Sequence, residues 1–176
     1  MAVRPVLRLG DPRLRARAAE VPEAWFGGGA LEALIADLRD TMAARVGAGL
    51  AAPQIAVPLR VVIYGISHNP RYPDAPPIPE TVLVNPRIEP IGEARETGWE
   101  GCLSVPGLRG EVARWQRIRL HWRDSLGVAH AAEREGFHAR VVQHECDHLD
   151  GVLFPDRLRD PHAFGFSEEL RSAGLL

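Results

Sequence analysis

Residues 143–151 read Gln-His-Glu-Cys-Asp-His-Leu-Asp-Gly, and His144 to His148 form an H-E-x-x-H motif. On an α-helix, residues four apart lie only about 40° apart around the axis, so His144 and His148 share a face. Two imidazoles one turn apart can grip a single divalent metal, and Glu145 stands where its carboxylate can reach a water on that metal. The same stretch constrains the fold. A helix is expected over residues 137–150, with Gly151 as its C-terminal stop. Phe137, Val141, His144 and His148 line one side, while Val142, Cys146 and Leu149 line another. A helix apolar on two sides belongs at the centre of a domain.

The rest of the chain supplies strands to wrap it. Ile118, Leu120 and Trp122 alternate strictly with Arg117, Arg119 and His121, the pattern of a half-buried strand. Asp124-Ser125-Leu126-Gly127 turns it into a partner over residues 128–132. Residues 61–64 read as a buried strand, and residues 81–84 as another, closed by Asn85-Pro86. Residues 6–12 suggest a strand running into a turn. Leu31, Leu34, Ile35, Leu38 and Met42 form one apolar stripe on a helix over residues 30–45, stopped by Gly47-Ala48-Gly49. Five prolines between residues 68 and 80 predict an irregular surface loop. No repeat, linker or low-complexity segment divides the chain. The expectation is one α+β domain over residues 1–176, with antiparallel or mixed strands around a central helix carrying H-E-x-x-H.

Composition narrows the chemistry. All 21 basic residues are Arg, so Schiff-base and Walker-lysine chemistry are excluded. A net charge of −2 gives no support for nucleic-acid binding. No run approaches the roughly 18–20 apolar residues of a membrane span. Two cysteines, Cys102 and Cys146, are too few for a secreted disulfide scaffold, and a cytoplasmic protein is expected.

A metal held by two histidines needs at least one more protein ligand. The extended zinc-protease pattern H-E-x-x-H-x-x-G-x-x-H fails, because its last position is Phe154. Glu168 and Glu169 lie at the distance of a downstream glutamate ligand, which would suit a zinc peptidase. Cys102, in Glu100-Gly101-Cys102-Leu103-Ser104, offers a thiolate. A structural metal site would be closed by four protein ligands, and no fourth is evident. Cys146 lies about 200° round the helix from His144 and reads as core. Asp147 reads as a residue that orients a ligand or satisfies a neighbour, and Glu100 as a support for Arg109 or another Arg.

Three segments in order resemble the signature motifs of peptide deformylases, metallohydrolases that remove the N-formyl group from new bacterial and organellar polypeptides. They are Gly47-Ala48-Gly49-Leu50-Ala51-Ala52-Pro53-Gln54, Glu100-Gly101-Cys102-Leu103-Ser104 and the stretch from Gln143 to Gly151. Asp11-Pro12-Arg13-Leu14-Arg15 and Val105-Pro106-Gly107-Leu108-Arg109 resemble family segments too, so the similarity spans roughly residues 5–158.

The resemblance implies that Cys102, His144 and His148 bind one divalent metal, Fe(II) in the cell, with Ni(II), Co(II) or Zn(II) able to replace it. It implies that metal-bound water attacks the formyl carbonyl of N-formyl-methionyl nascent peptides, with Glu145 as general base. Gln54 and the backbone N–H of Leu103 would hold the carbonyl oxygen. Gly49 would pair with the peptide backbone, and Arg109 would lie near the substrate's far end. Ala48 replaces a larger aliphatic residue usual in the family, and the pocket beside Phe137, Val141 and Ala48 would take an unbranched side chain. The tail, residues 166–176, does not resemble the long basic C-terminal helix that some members use at the ribosome. Any ribosome contact would have to be made without it. A bacterial cytoplasmic enzyme follows.

Overall fold

The computed structural model describes residues 2–67 and 76–176. A helix, α1 (Gly29–Ala44), precedes the short strand β1 (Gly49–Ala51) and a 3-10 turn over Ala52–Ile55. Then come β2 (Val61–Ile66), β3 (Ile78–Pro90), β4 (Arg95–Cys102), β5 (Val105–Trp115), β6 (Arg117–Arg123) and β7 (Ala129–Glu135). The chain closes with α2 (Gly136–Leu149), β8 (Phe164–Phe166) and α3 (Ser167–Ser172). Two sheets form, in the orders β1-β2-β3-β6-β7 and β4-β5-β8, with every named ladder antiparallel and one isolated parallel bridge, Ala19 to Leu59. The fold is α+β.

The larger sheet lies between the two long helices. Side chains alternate across β2, so Val62, Tyr64 and Ile66 pack toward Val142, Cys146 and Leu149 of α2. Val61 and Ile63 pack the other way, against Leu31, Leu34, Leu38 and Met42 of α1. A strand covered on both faces is apolar throughout, which is why residues 61–64 carry no alternation. On its far side α2 meets the smaller sheet, where Cys102, Val105, Val112 and Phe154 form a third cluster. The helix is thus central, as its two apolar sides require. Gly151 ends it at φ +73°, with the Val152 amide donating to the Asp147 carbonyl at 3.0 Å.

Three expectations are corrected. β3 does not close at Asn85-Pro86 but runs through to Pro90. Asn85 takes a left-handed φ of +51°, and the ladder with β6 shifts register between Val84 and Arg87, a bulge that accommodates a proline lacking an N–H. The Asn85 side chain closes the kink by accepting from Val21 N at 2.8 Å and donating to Val21 O at 3.1 Å. Residues 6–12 form no strand. Their amides go to two different segments, Leu7 to Gln54 O and Leu9 to Ser104 O, each at 2.8 Å, before Asp11 caps a 3-10 turn over Pro12–Arg15. Of the loop expected over 68–80, residues 68–75 lie outside the described residues, and Ile78 to Glu80 belong to β3.

Candidate metal centre and active site

α2 delivers His144, Glu145 and His148 to one end of the gap between the sheets, and the end of β4 delivers Cys102. The ligand atoms of Cys102, His144 and His148 all lie within 4.8 Å of one another. Cys102 Sγ stands 3.3 Å from His148 Nε2. His144 Nδ1 lies 2.9 Å from Glu100 Oε2, an arrangement that commits Nδ1 to the carboxylate and leaves Nε2 for a cation. Burial alone would push the Cys102 thiol up, but His148 and His144 hold it well below the usual thiol range. Burial likewise opposes a charged His144, yet Cys102 and Glu100 raise it well above the ordinary histidine value. A buried thiolate that draws protons onto its neighbours is a donor set suited to a divalent cation. Glu168 and Glu169, the alternative third ligands, are exposed on α3, outside this cluster.

Glu145 is 5% exposed, and burial raises its carboxyl to about 7, with the two histidines working against that rise. Its Oε2 is buried with no hydrogen-bond partner among the described residues. Gly49 makes room for it, since a Cβ on Gly49 would come 2.4 Å from Glu145 Oε1. Gln54 is fixed by its own 3-10 turn: Oε1 accepts from Ala51 N at 2.8 Å, while Nε2 donates to Ser104 Oγ at 3.0 Å and approaches Cys102 Sγ at 3.5 Å. Ala48, Gly49, Gln54, Leu103, Phe137 and Val141 are among the walls of a small pocket that also meets Glu145 and Cys102. Arg109 is 5% exposed and lines the adjoining cleft.

The sequence pointed to Glu100 and Asp147 as supporting residues but did not single out Arg114, Arg140 or the link to His144. Glu100 accepts two bonds from Arg114, from Nε and Nη2 at 2.8 Å each, and a third from Arg140 Nη1 at 3.0 Å. Although burial works to raise it, Arg114 and His144 hold Glu100 below the ordinary carboxylate range. Arg114 also donates to Asp147 at 2.5 Å, and Asp147 accepts from Arg157, so a buried ionic chain runs from the surface to His144.

A cysteine and two histidines around a buried point, with a carboxylate beside them and a pocket in front, define a metallohydrolase centre. The polypeptide deformylase family model matches residues 3–163, and the chain belongs to that family. It is 58% identical to peptide deformylase 1 of Prochlorococcus marinus (strain MIT 9313), over 100% of this chain and 91% of that protein. It is also 58% identical to peptide deformylase 2 of Ralstonia nicotianae, over 96% and 94% of the two chains. The Met-Ala-Ser-bound crystal structure of class I type b peptide deformylase from Acinetobacter baumannii superposes with a TM-score of 0.86. The identity is 40%, covering 89% of this chain and 99% of that one.

Proposed function

We propose that this protein is a metal-dependent peptide deformylase that hydrolyses the N-formyl group of formyl-methionyl peptides. The observation that carries the reading is the convergence of Cys102, His144 and His148 beside the buried Glu145, whose Oε2 has no hydrogen-bond partner among the described residues. A bound divalent cation supplies a Lewis acid that activates water at neutral pH. Glu145 accepts the proton of the attacking water and returns it to the departing amine. The Gln54 side chain and the Leu103 N–H donate to the carbonyl oxygen as charge builds on it, each worth about 10²–10³ in rate. Gly49 lies on β1, an edge strand, where an extended peptide can add through its backbone. Phe137, Val141 and Ala48 form the wall against the first side chain.

The metal is Fe(II) in this reading, with Ni(II), Co(II) or Zn(II) able to replace it, because a thiolate and two imidazoles suit each of these ions. The whole chain acts as one catalytic unit in the bacterial cytoplasm. No helix among the described residues is long and apolar enough to cross a membrane. The test is formate release from formyl-Met-Ala-Ser by protein purified without oxygen and loaded with Fe(II) or Ni(II). Rapid release that Glu145→Ala abolishes is expected, whereas no release from metal-loaded protein overturns the reading. Loss of activity in air from the Fe(II) form but not the Ni(II) form would support the assignment of iron.

A further inference from the structure

A second cavity begins where the reaction pocket ends. Cys102 and Leu103 line both, and the second, of about 370 Å³, runs from them over β5 toward α3. Its charged lining consists of Arg8, Arg45, Arg109 and Arg171, and no Asp or Glu lines it. The chain as a whole carries a net charge of −2, so this concentration of one sign is local.

Four segments distant in sequence assemble it, and three of them bring exposed arginines to β5. Arg8 lies between Leu7 and Leu9, whose amides are tied to Gln54 and Ser104. Arg45 follows the last turn of α1. Arg171 stands on α3, which Ser167 Oγ ties to β5 by donating to Gly107 O at 3.0 Å. Arg8, Arg45 and Arg171 are exposed, and none pairs with a carboxylate among the described residues. Arginines elsewhere are satisfied differently: Arg4 pairs with Asp37, Arg60 with Asp150, and Arg117 and Arg119 with Glu133. Arg95 lies over the Trp115 ring instead. A concave cleft lined by one sign of charge focuses its field and draws the opposite charge in.

We infer that this cleft selects substrates with acidic side chains on the residues that follow the formylated one. The inference rests on the deformylase reading, because the cleft adjoins the reaction pocket at Cys102 and Leu103 and an extended chain leaving that pocket advances about 3.3 Å per residue. A phosphate would satisfy the same guanidinium groups, but the shared walls at Cys102 and Leu103 make the peptide's own continuation the occupant.

The experiment compares formyl-Met-Ala-Ser-Ala with the same peptide carrying Asp at the second, third or fourth position. Metal-loaded protein is expected to show a kcat/KM roughly 3- to 10-fold higher for at least one acidic peptide, the range of one or two partly exposed ion pairs. That advantage should shrink toward one in about 0.5 M salt, where screening is nearly complete. It should also shrink in Arg8→Gln, Arg45→Gln and Arg171→Gln, and most in the triple variant. Binding of the unformylated peptides, read by calorimetry, is measured in parallel. Acidic and neutral peptides with equal kcat/KM, or a preference that survives the triple substitution, overturns the inference and leaves the deformylase reading intact. If no peptide releases formate, the activity reading fails, and equal affinities in calorimetry then overturn the acidic cleft as well.

Discussion

At the scale of single residues, the site depends on two positions that do no chemistry. Gly49 is the first. A methyl group there would overlap the Glu145 carboxylate, so Gly49→Ala must displace the base or the strand. Kinetics on metal-loaded protein should show kcat/KM lowered by about 10²-fold, the usual consequence of an ångström of misplacement, with metal content retained. The second is Glu100, a carboxylate that Arg114, Arg140 and His144 all meet. Glu100→Gln leaves two buried guanidinium groups undercompensated and should cost about 3–5 kcal/mol in chemical denaturation. It should also weaken metal binding by about 10- to 100-fold in a competition titration, since His144 loses the partner that orients it. The grouping of His144, Glu145 and His148 was legible because they sit in one short motif whose spacing is itself the geometry, whereas Cys102 was singled out only by the family resemblance of its segment. Arg114 and Arg140 were not, since nothing near them in sequence distinguishes a buried arginine from an exposed one.

At the scale of elements, regular periodicity was readable and irregular pairing was not. The α1 stripe and the β6–β7 hairpin follow their patterns, and the Asp124 carboxylate closes the hairpin turn by accepting from Leu126 N and Val128 N. The β4–β5 hairpin has no such pattern. Gly98, Gly101, Gly107, Gly110 and Pro106 punctuate it, and at Gly98 the missing side chain is what lets the Arg140 guanidinium cross to Glu100. β3 also defeated a local reading, because Asn-Pro ordinarily ends a strand and here sits inside one. Asn85 holds that crossing through two bonds to Val21 and a left-handed backbone. Asn85→Ala removes both bonds and strains the backbone, so urea unfolding should show a loss of about 2–4 kcal/mol.

At the scale of the whole molecule, packing both sheets around α2 leaves ionisable groups in places that tie stability to pH. Burial, helped by Arg134, lowers His138 from 6.5 to about 4. The unfolded chain therefore binds a proton in that window that the folded chain refuses, and His138 subtracts stability as pH falls from 6.5 to about 4. Glu100, held below its ordinary value, adds a loss in the same direction below the carboxylate range. Glu145 works the other way in the metal-free protein: raised to about 7, it binds a proton more readily when folded and stabilises as pH falls from 7 toward 4.5. Denaturation of metal-free protein across this range should separate these effects. Relative to wild type, His138→Gln should gain stability steadily as pH drops from 6.5 to 4. Glu145→Gln, uncharged throughout, should lose relative stability over pH 7 to 4.5. Parallel curves for either variant would contradict the assignment.

The sequence by itself determined the family and a central helix carrying His144, Glu145 and His148, because motifs and helical periodicity operate over spans of a few residues. What the tertiary structure alone decided lies between such spans. The pairing of β4 with β5, the passage of β3 through Asn85-Pro86, the guanidinium groups behind Glu100 and the joining of Arg8, Arg45 and Arg171 in one cleft all depend on residues far apart in the chain. No local pattern encodes such contacts, because the free energy that selects them comes from burial and charge pairing that exist only once the sheets have closed on α2.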